Sequence, residues 1–153
     1  MAGQRPVVKS ERPQEFKEFH ITLDPGTTTR QKLFIVDKPT AIDKVIFRAE
    51  AVSSQTAGAR LCYSIVTAAG LGTALTTNVP ITDDTSVDLT TVANAFDNIE
   101  ADFVLSNGKP SANIVPAGAT VFVEHTNFAG TAQASDGDLD ELSISVWMNE
   151  FVQ

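Results

Sequence analysis

Near the end of the chain, Leu142, Ile144, Val146 and Met148 alternate with Ser143, Ser145, Trp147 and Asn149. A repeat of two belongs to a β-strand with one face buried and the other toward water, and no helix can present it. Trp147 is the one large apolar side chain on the polar face of this strand. The same repeat recurs upstream. Phe19, Ile21 and Leu23 share one face before the Asp24-Pro25-Gly26 turn, and Leu33 to Val36 is a short apolar run closed by Asp37-Lys38-Pro39. In residues 42–52, Val45, Phe47 and Ala49 alternate with Lys44, Ile46 and Arg48. From Arg60 to Thr67 both phases are apolar, as in a strand covered on both sides near the middle of a sandwich.

Between Ala68 and Asp88 the composition of Ala, Gly, Thr and Asp predicts a long loop with one strand near Val79 to Thr82. Ala95 to Ser106 fits helical spacing through Phe96, Ile99 and Phe103, and strand spacing through Ile99, Ala101, Phe103 and Leu105. The ending Phe103-Val104-Leu105, stopped by Ser106-Asn107-Gly108, favours a strand and a turn. Ile114-Val115, the Pro116-Ala117-Gly118 turn and Thr120 to His125 add a strand, a turn and a strand. About eight strands with no amphipathic helix predict an all-β fold, a β-sandwich of jelly-roll topology. No fixed-period repeat points to a propeller or a solenoid. Residues 1–15 contain two prolines, mixed charge and no periodicity, which predicts an extended N-terminal arm; residues 16–153 are then the sandwich domain.

A chain of 153 residues can bury roughly two-thirds of its unfolded surface, enough for one core without staples. Apolar residues at 42% and charged residues at 20% place it among folding chains. Cys62, the single cysteine, lies in an apolar run and is expected to be a small buried hydrophobe. No apolar run is long enough to span a bilayer, and the N-terminus has no secretory apolar core, so synthesis in a cytoplasm and no membrane partner are expected. Residues 1–60 carry ten Lys/Arg against seven Asp/Glu, whereas residues 61–153 carry one against twelve. So acidic a body repels a phosphate backbone, which argues against nucleic acid as a partner.

Chemistry-bearing motifs are sparse. His20 and His125 are the only histidines, each within an alternating strand. The chain lacks nucleophile-elbow, phosphate-loop, zinc-protease and dinucleotide motifs, and Gly70-Leu71-Gly72 opens no helix. Neither an enzyme nor a cofactor is expected. Asp136, Asp138, Asp140 and Glu141 form an acidic, Gly-containing cluster that could supply oxygens to calcium, but it lacks EF-hand spacing and is read as solvated loop charge. Trp147 with Tyr63 could form a sugar platform; a core or subunit-contact role for Trp147 is the favoured reading.

Several stretches together resemble a family of small structural proteins of tailed bacteriophages, of the capsid decoration (cement) or head-fibre type. They are Val45 to Val52 followed by the small-residue loop 53–58, Leu61 to Thr67, Gly72-Thr73-Ala74-Leu75, Ile114 to Val121, and the closing apolar strand. The resemblance runs from about Lys32 to the end and rests on pattern, without a diagnostic motif. It implies a β-sandwich, a homotrimer, the major capsid protein as partner, a place on the exterior of the virion and an N-terminal extension reaching over neighbouring capsomers. An arm of this length spans up to roughly 50 Å and could pair with another chain's sheet edge. Arg5, Lys9 and Arg12 would then meet acidic capsid surface, with Val7, Val8 and Phe16 as apolar anchors and Trp147 as a further contact. A frayed terminus is the alternative for the arm; a sugar-binding or host-attachment module and a tail or baseplate subunit are the alternatives for the whole.

Overall fold

The computed structural model describes residues 14–23, 30–52, 58–65, 79–87, 98–126 and 139–152. Eleven strands are assigned there: β1 (Glu15–Leu23), β2 (Arg30–Ile35), β3 (Thr40–Val52), β4 (Gly58–Ser64), β5 (Val79–Pro80), β6 (Ile99–Glu100), β7 (Leu105–Ser106), β8 (Lys109–Pro110), β9 (Ile114–Val115), β10 (Thr120–Thr126) and β11 (Leu139–Glu150). All pairings are antiparallel. One sheet runs β1-β11-β3-β6, with β9 also on β3; the other runs β2-β10-β4-β5. The two pack face to face as a β-sandwich.

The core is the set of inward residues that alternation requires. Leu142, Ile144, Val146 and Met148 of β11 and Val45 and Phe47 of β3 meet Ala59 and Leu61 of β4 and Val121 and Val123 of β10. Each fully buried large side chain of this kind contributes about 1.5–3 kcal/mol relative to exposure. Where edge strands β1 and β2 approach one another, Phe19 stacks on Phe34 with centroids 5.5 Å apart, and Lys17 Nζ lies 4.8 Å from the Phe34 ring.

A bulge in β3 breaks strict alternation. Trp147 pairs with Lys44 and Met148 with Ile42, so β3 spends one extra residue, and Asp43 and Lys44 both turn away from the core. Ile42 and Val45 can then both be fully buried although their numbers differ by an odd step.

After Glu100 the chain leaves β3, bridges the other sheet through Phe103 opposite Thr82, forms the β7-β8 hairpin and returns to β3 as β9. Asn107 and Gly108, at φ 52° and 74°, make the two-residue turn whose twist matches a hairpin. Gly118, at φ 85°, holds the turn in which Ala119 N–H donates to the Pro116 carbonyl. The residues described between 98 and 106 carry short strand pieces and no helix, and the Val79–Thr82 region is a strand and a bridge followed by a 3-10 turn at Asp84–Ser86. Residues 1–13, 66–78 and 127–138, which hold most of the expected arm, much of the expected long loop and part of the acidic cluster, lie outside the described residues.

Candidate functional surfaces

β10 and β4 are buried on their outer as well as their inner side, whereas β2 at the sheet edge is partly exposed. Every residue of β10 is buried, and so are Arg60, Cys62 and Ser64 of β4. At the centre of this outer side stands Glu124, with no exposed surface. Arg60 donates to it through Nε at 2.8 Å and Nη2 at 2.5 Å, and Arg30 donates through Nε at 2.6 Å. The three residues lie opposite one another across β4, β10 and β2. Arg30 also lies 5.6 Å from the Phe122 ring. Hydrogen bonding to Glu124 holds the Arg60 guanidinium charged and its pKa above the ordinary value, against the opposing pull of burial. Burial pushes the Cys62 thiol up to about 12, which makes it an inert packing group as its sequence context implies.

The outer side of the β1-β11-β3 layer carries exposed side chains on its flanking strands with Ser143 buried between them, and register arranges it in rows. Phe16, Trp147 and Lys44 form one row, Glu18, Ser145 and Ile46 the next, and His20, Ser143 and Arg48 a third. Phe16 packs on Trp147 at 4.9 Å between centroids, tilted by 47°, and stays 51% exposed. Lys44 Nζ is 5.3 Å from the Trp147 ring and 3.8 Å from Glu100. Beyond this row Asp43, turned outward by the bulge, accepts from Gln14 Nε2 at 3.1 Å and from Asn149 Nδ2 on the same oxygen. Phe16 and Trp147, both singled out from sequence, thus meet. Tyr63 is on the inner side of the other sheet, packed against the core, and is no partner of Trp147.

His20 Nδ1 is 3.0 Å from Ser143 Oγ, and its Nε2 is 3.7 Å from Glu18. The trio sits on a flat sheet face with the imidazole 70% exposed. His125, by contrast, is buried in β10.

A third surface lies at one end of the sandwich. Pro39, Ile114, Pro116, Ala117, Glu150, Phe151 and Val152 line an open groove of about 530 Å³. At the same end Ile35 closes β2 opposite Thr120, and Ile65 follows Ser64, the other partner of Thr120. Ile35, Ile65 and Ile114, at 54%, 49% and 37% exposed, are three of the five large hydrophobic side chains exposed among the described residues. The first residues of β1 belong here too, since Glu15 pairs with Met148 and Gln14 reaches Asp43.

Arg5, Val7, Val8, Lys9, Arg12, Asp136 and Asp138 lie outside the described residues, and Asp140 and Glu141 fall within β11. Among the described residues no group of three or more His, Cys, Asp or Glu is placed to hold a metal ion, and no helix is long and apolar enough to cross a membrane. The Glu124 triad was missed in the sequence reading, which placed Ser143, Ser145, Trp147 and Asn149 on the outward face of their strand but did not identify their neighbours on β1 and β3. A lone Glu inside the apolar run Thr120 to Thr126, with arginines in two other strands, was the signal available for the triad.

No protein-family model matches the chain, and no curated protein matches it. Among solved structures it is similar to a chain of the cyanophage Pam1 capsid asymmetric unit, with a TM-score of 0.46, 13% identity, and 97% of this chain and 94% of that chain covered.

Proposed function

We propose that this protein is a structural component of a bacteriophage virion: made in the host cytoplasm, it binds the outer surface of the capsid and clamps neighbouring major capsid protein subunits, as a decoration or cement protein acting as a homotrimer. Its role is non-enzymatic. We also read the strand order β1-β11-β3-β6 over β2-β10-β4-β5 as a jelly roll.

The observation that carries this reading is the coincidence, at one end of the sandwich, of the aliphatic surface around Ile35, Ile65 and Ile114 with the point where the N-terminal segment joins β1. A docking surface and a tether at one place let a single copy grip two partners at a joint. Arg5, Lys9 and Arg12 supply positive charge to that tether, whereas the body after residue 60 is acidic, so the two parts favour partner surfaces of different sign. Many copies with modest contacts each suffice, because the shell presents the joints repeatedly and the clamps act together.

The test is a capsid-binding assay with purified particles that lack the protein. Wild-type protein co-sediments with them and restores their resistance to heating. A variant lacking residues 1–13, and separately the groove substitution Ile114→Asp, each stay folded and lose at least tenfold in affinity, about 1.4 kcal/mol. Full binding by both variants overturns the reading, as does imaging that finds the protein on the tail and none on the head.

A further inference from the structure

Between Val104 and Ser111 the chain leaves the sandwich as the β7-β8 hairpin, and all seven residues from Leu105 to Ser111 are exposed. A lone two-stranded hairpin is marginally stable in water, yet this one is fixed at its root and its tip. Val104 N–H donates to the Ile81 carbonyl, Ser111 N–H donates to the Val104 carbonyl, and Asn107 and Gly108 make the turn. Leu105 lies opposite Pro110 and Ser106 opposite Lys109, so one face of this blade is apolar and the other carries a cation. Leu105, at 59%, is the most exposed large hydrophobic side chain among the described residues. Lys109 is the only Lys or Arg after residue 60, against twelve Asp/Glu. We infer that this blade seats in the end groove of a second copy of the chain.

Blade and groove match in kind. The groove is lined by apolar side chains, among them Ile114, Pro116, Phe151 and Val152, and by one charged residue, Glu150. It offers apolar contact to Leu105 and Pro110 and the opposite charge to Lys109. Residues after 60 otherwise carry acidic groups alone, so Lys109 is the point of that region to which another copy's acidic surface is attracted. Leu105 is exposed on its own molecule, so the groove it fills belongs to another. The blade is rooted beside β5, at the edge of one sheet, whereas the groove lies where β9 begins and β11 ends. The two are different patches, so the contact is head-to-tail: each copy gives one blade and one groove, and three copies close a ring. Both parts are formed before they meet, which keeps the cost of ordering low. The inference rests on the proposed homotrimer and supplies its contact. Ile35 and Ile65, which do not line the groove, are left for the capsid, and Ile114 acts on capsid binding through the trimer, which multiplies the contacts made at each joint.

Sedimentation velocity on the purified protein, without capsids, tests the contact. Wild type is expected to run as a trimer at roughly 10–100 μM. Leu105→Asp, on the blade, and Ile114→Asp, in the groove, are each expected to run as monomers with unchanged circular dichroism. Lys109→Glu, which turns attraction into repulsion at an exposed position, is expected to weaken assembly roughly threefold to tenfold. Mixed in equal amounts at the top of that range, the two aspartate variants are expected to form dimers, because the intact blade of one meets the intact groove of the other. The inference is overturned if wild type stays monomeric throughout the range, if folded Leu105→Asp still forms trimers, or if the mixture gives no dimer. A monomeric wild type that binds capsids strikes this inference alone, whereas a blade-dependent trimer that fails to bind them strikes only the decoration role.

Discussion

Glu124 and Arg60 face one another across β10 and β4, and two nitrogens of the guanidinium share one oxygen of the carboxylate, while Arg30 takes the other oxygen from the β2 side. Sequestered from water, the carboxylate depends on these partners, and removing one member of such a pair leaves an uncompensated charge. Glu124→Leu is therefore expected to lose about 3–5 kcal/mol of unfolding free energy in urea titrations. Arg30→Leu is expected to lose less, since Glu124 keeps its two bonds from Arg60 and the Arg30–Glu124 pair is the more exposed of the two, with the Arg30 side chain 32% exposed. Equal losses at the two positions would contradict the burial gradient across the triad.

Cys62 supplies a pH dependence of known sign. Burial raises its pKa from 9.0 to about 12, so the folded state holds the proton through a range in which the unfolded thiol gives it up. The contribution to stability is complete below pH 9 and is lost as pH climbs from there toward 12, because ionisation over that span favours the unfolded chain. Iodoacetamide at pH 8 should leave Cys62 unmodified in buffer and alkylate it fully in denaturant. Rapid alkylation of the native protein would show the thiol to be accessible.

Backbone shape governs two glycines. Gly108 and Gly118 both have positive φ, and an added Cβ would meet no atom within 4 Å at either, so any penalty for alanine comes from the backbone alone. Gly108→Ala and Gly118→Ala should each lower stability by about 1 kcal/mol, and Gly108→Asn by less, as thermal unfolding can measure.

Two phenylalanines separate packing from surface. Phe47 has no exposed surface and lies between the sheets, so Phe47→Ala should lose about 3–5 kcal/mol. Phe16 is half exposed on the outer face, and Phe16→Ala should stay within about 1 kcal/mol of wild type. A large loss at Phe16 would make the Phe16–Trp147 contact a part of the core.

The strands were legible because their information is local. The alternation from Leu142 to Met148 placed every inward residue of that stretch on the correct side and Asn107-Gly108 marked its own turn, whereas the doubly apolar run expected from Arg60 to Thr67 is buried only as far as Ser64, where β4 ends, and Ile65 is half exposed. The Asp43 bulge was illegible, because an extra residue is defined only by the partner strand, and β11 lies about a hundred residues downstream. The Arg30–Glu124–Arg60 triad was illegible for the same reason: three charges in three strands give no sign of common register until the sheet order is known. For the candidate surfaces, Trp147 could be seen as an outward aromatic, but its partner Phe16 read as an anchor of the arm, and the aliphatic end gathers Ile35, Ile65 and Ile114 from three separate strand ends.

In both sheets the strand that joins the earlier ones comes late. β11 lies between β1 and β3, and β10 lies between β2 and β4. A nascent chain on the ribosome therefore carries β1 and β2 without their sheet partners until the last third has been translated, and hydrogen-bonding edges stay open during that interval. Folding must wait for β10 and β11 and should be slow, as expected when the pairings that matter join strands about a hundred residues apart. Premature termination anywhere before residue 120 removes both central strands at once and leaves β1 and β2 unpaired in either sheet, so such truncated products would expose open strand edges and fall to proteolysis or aggregation.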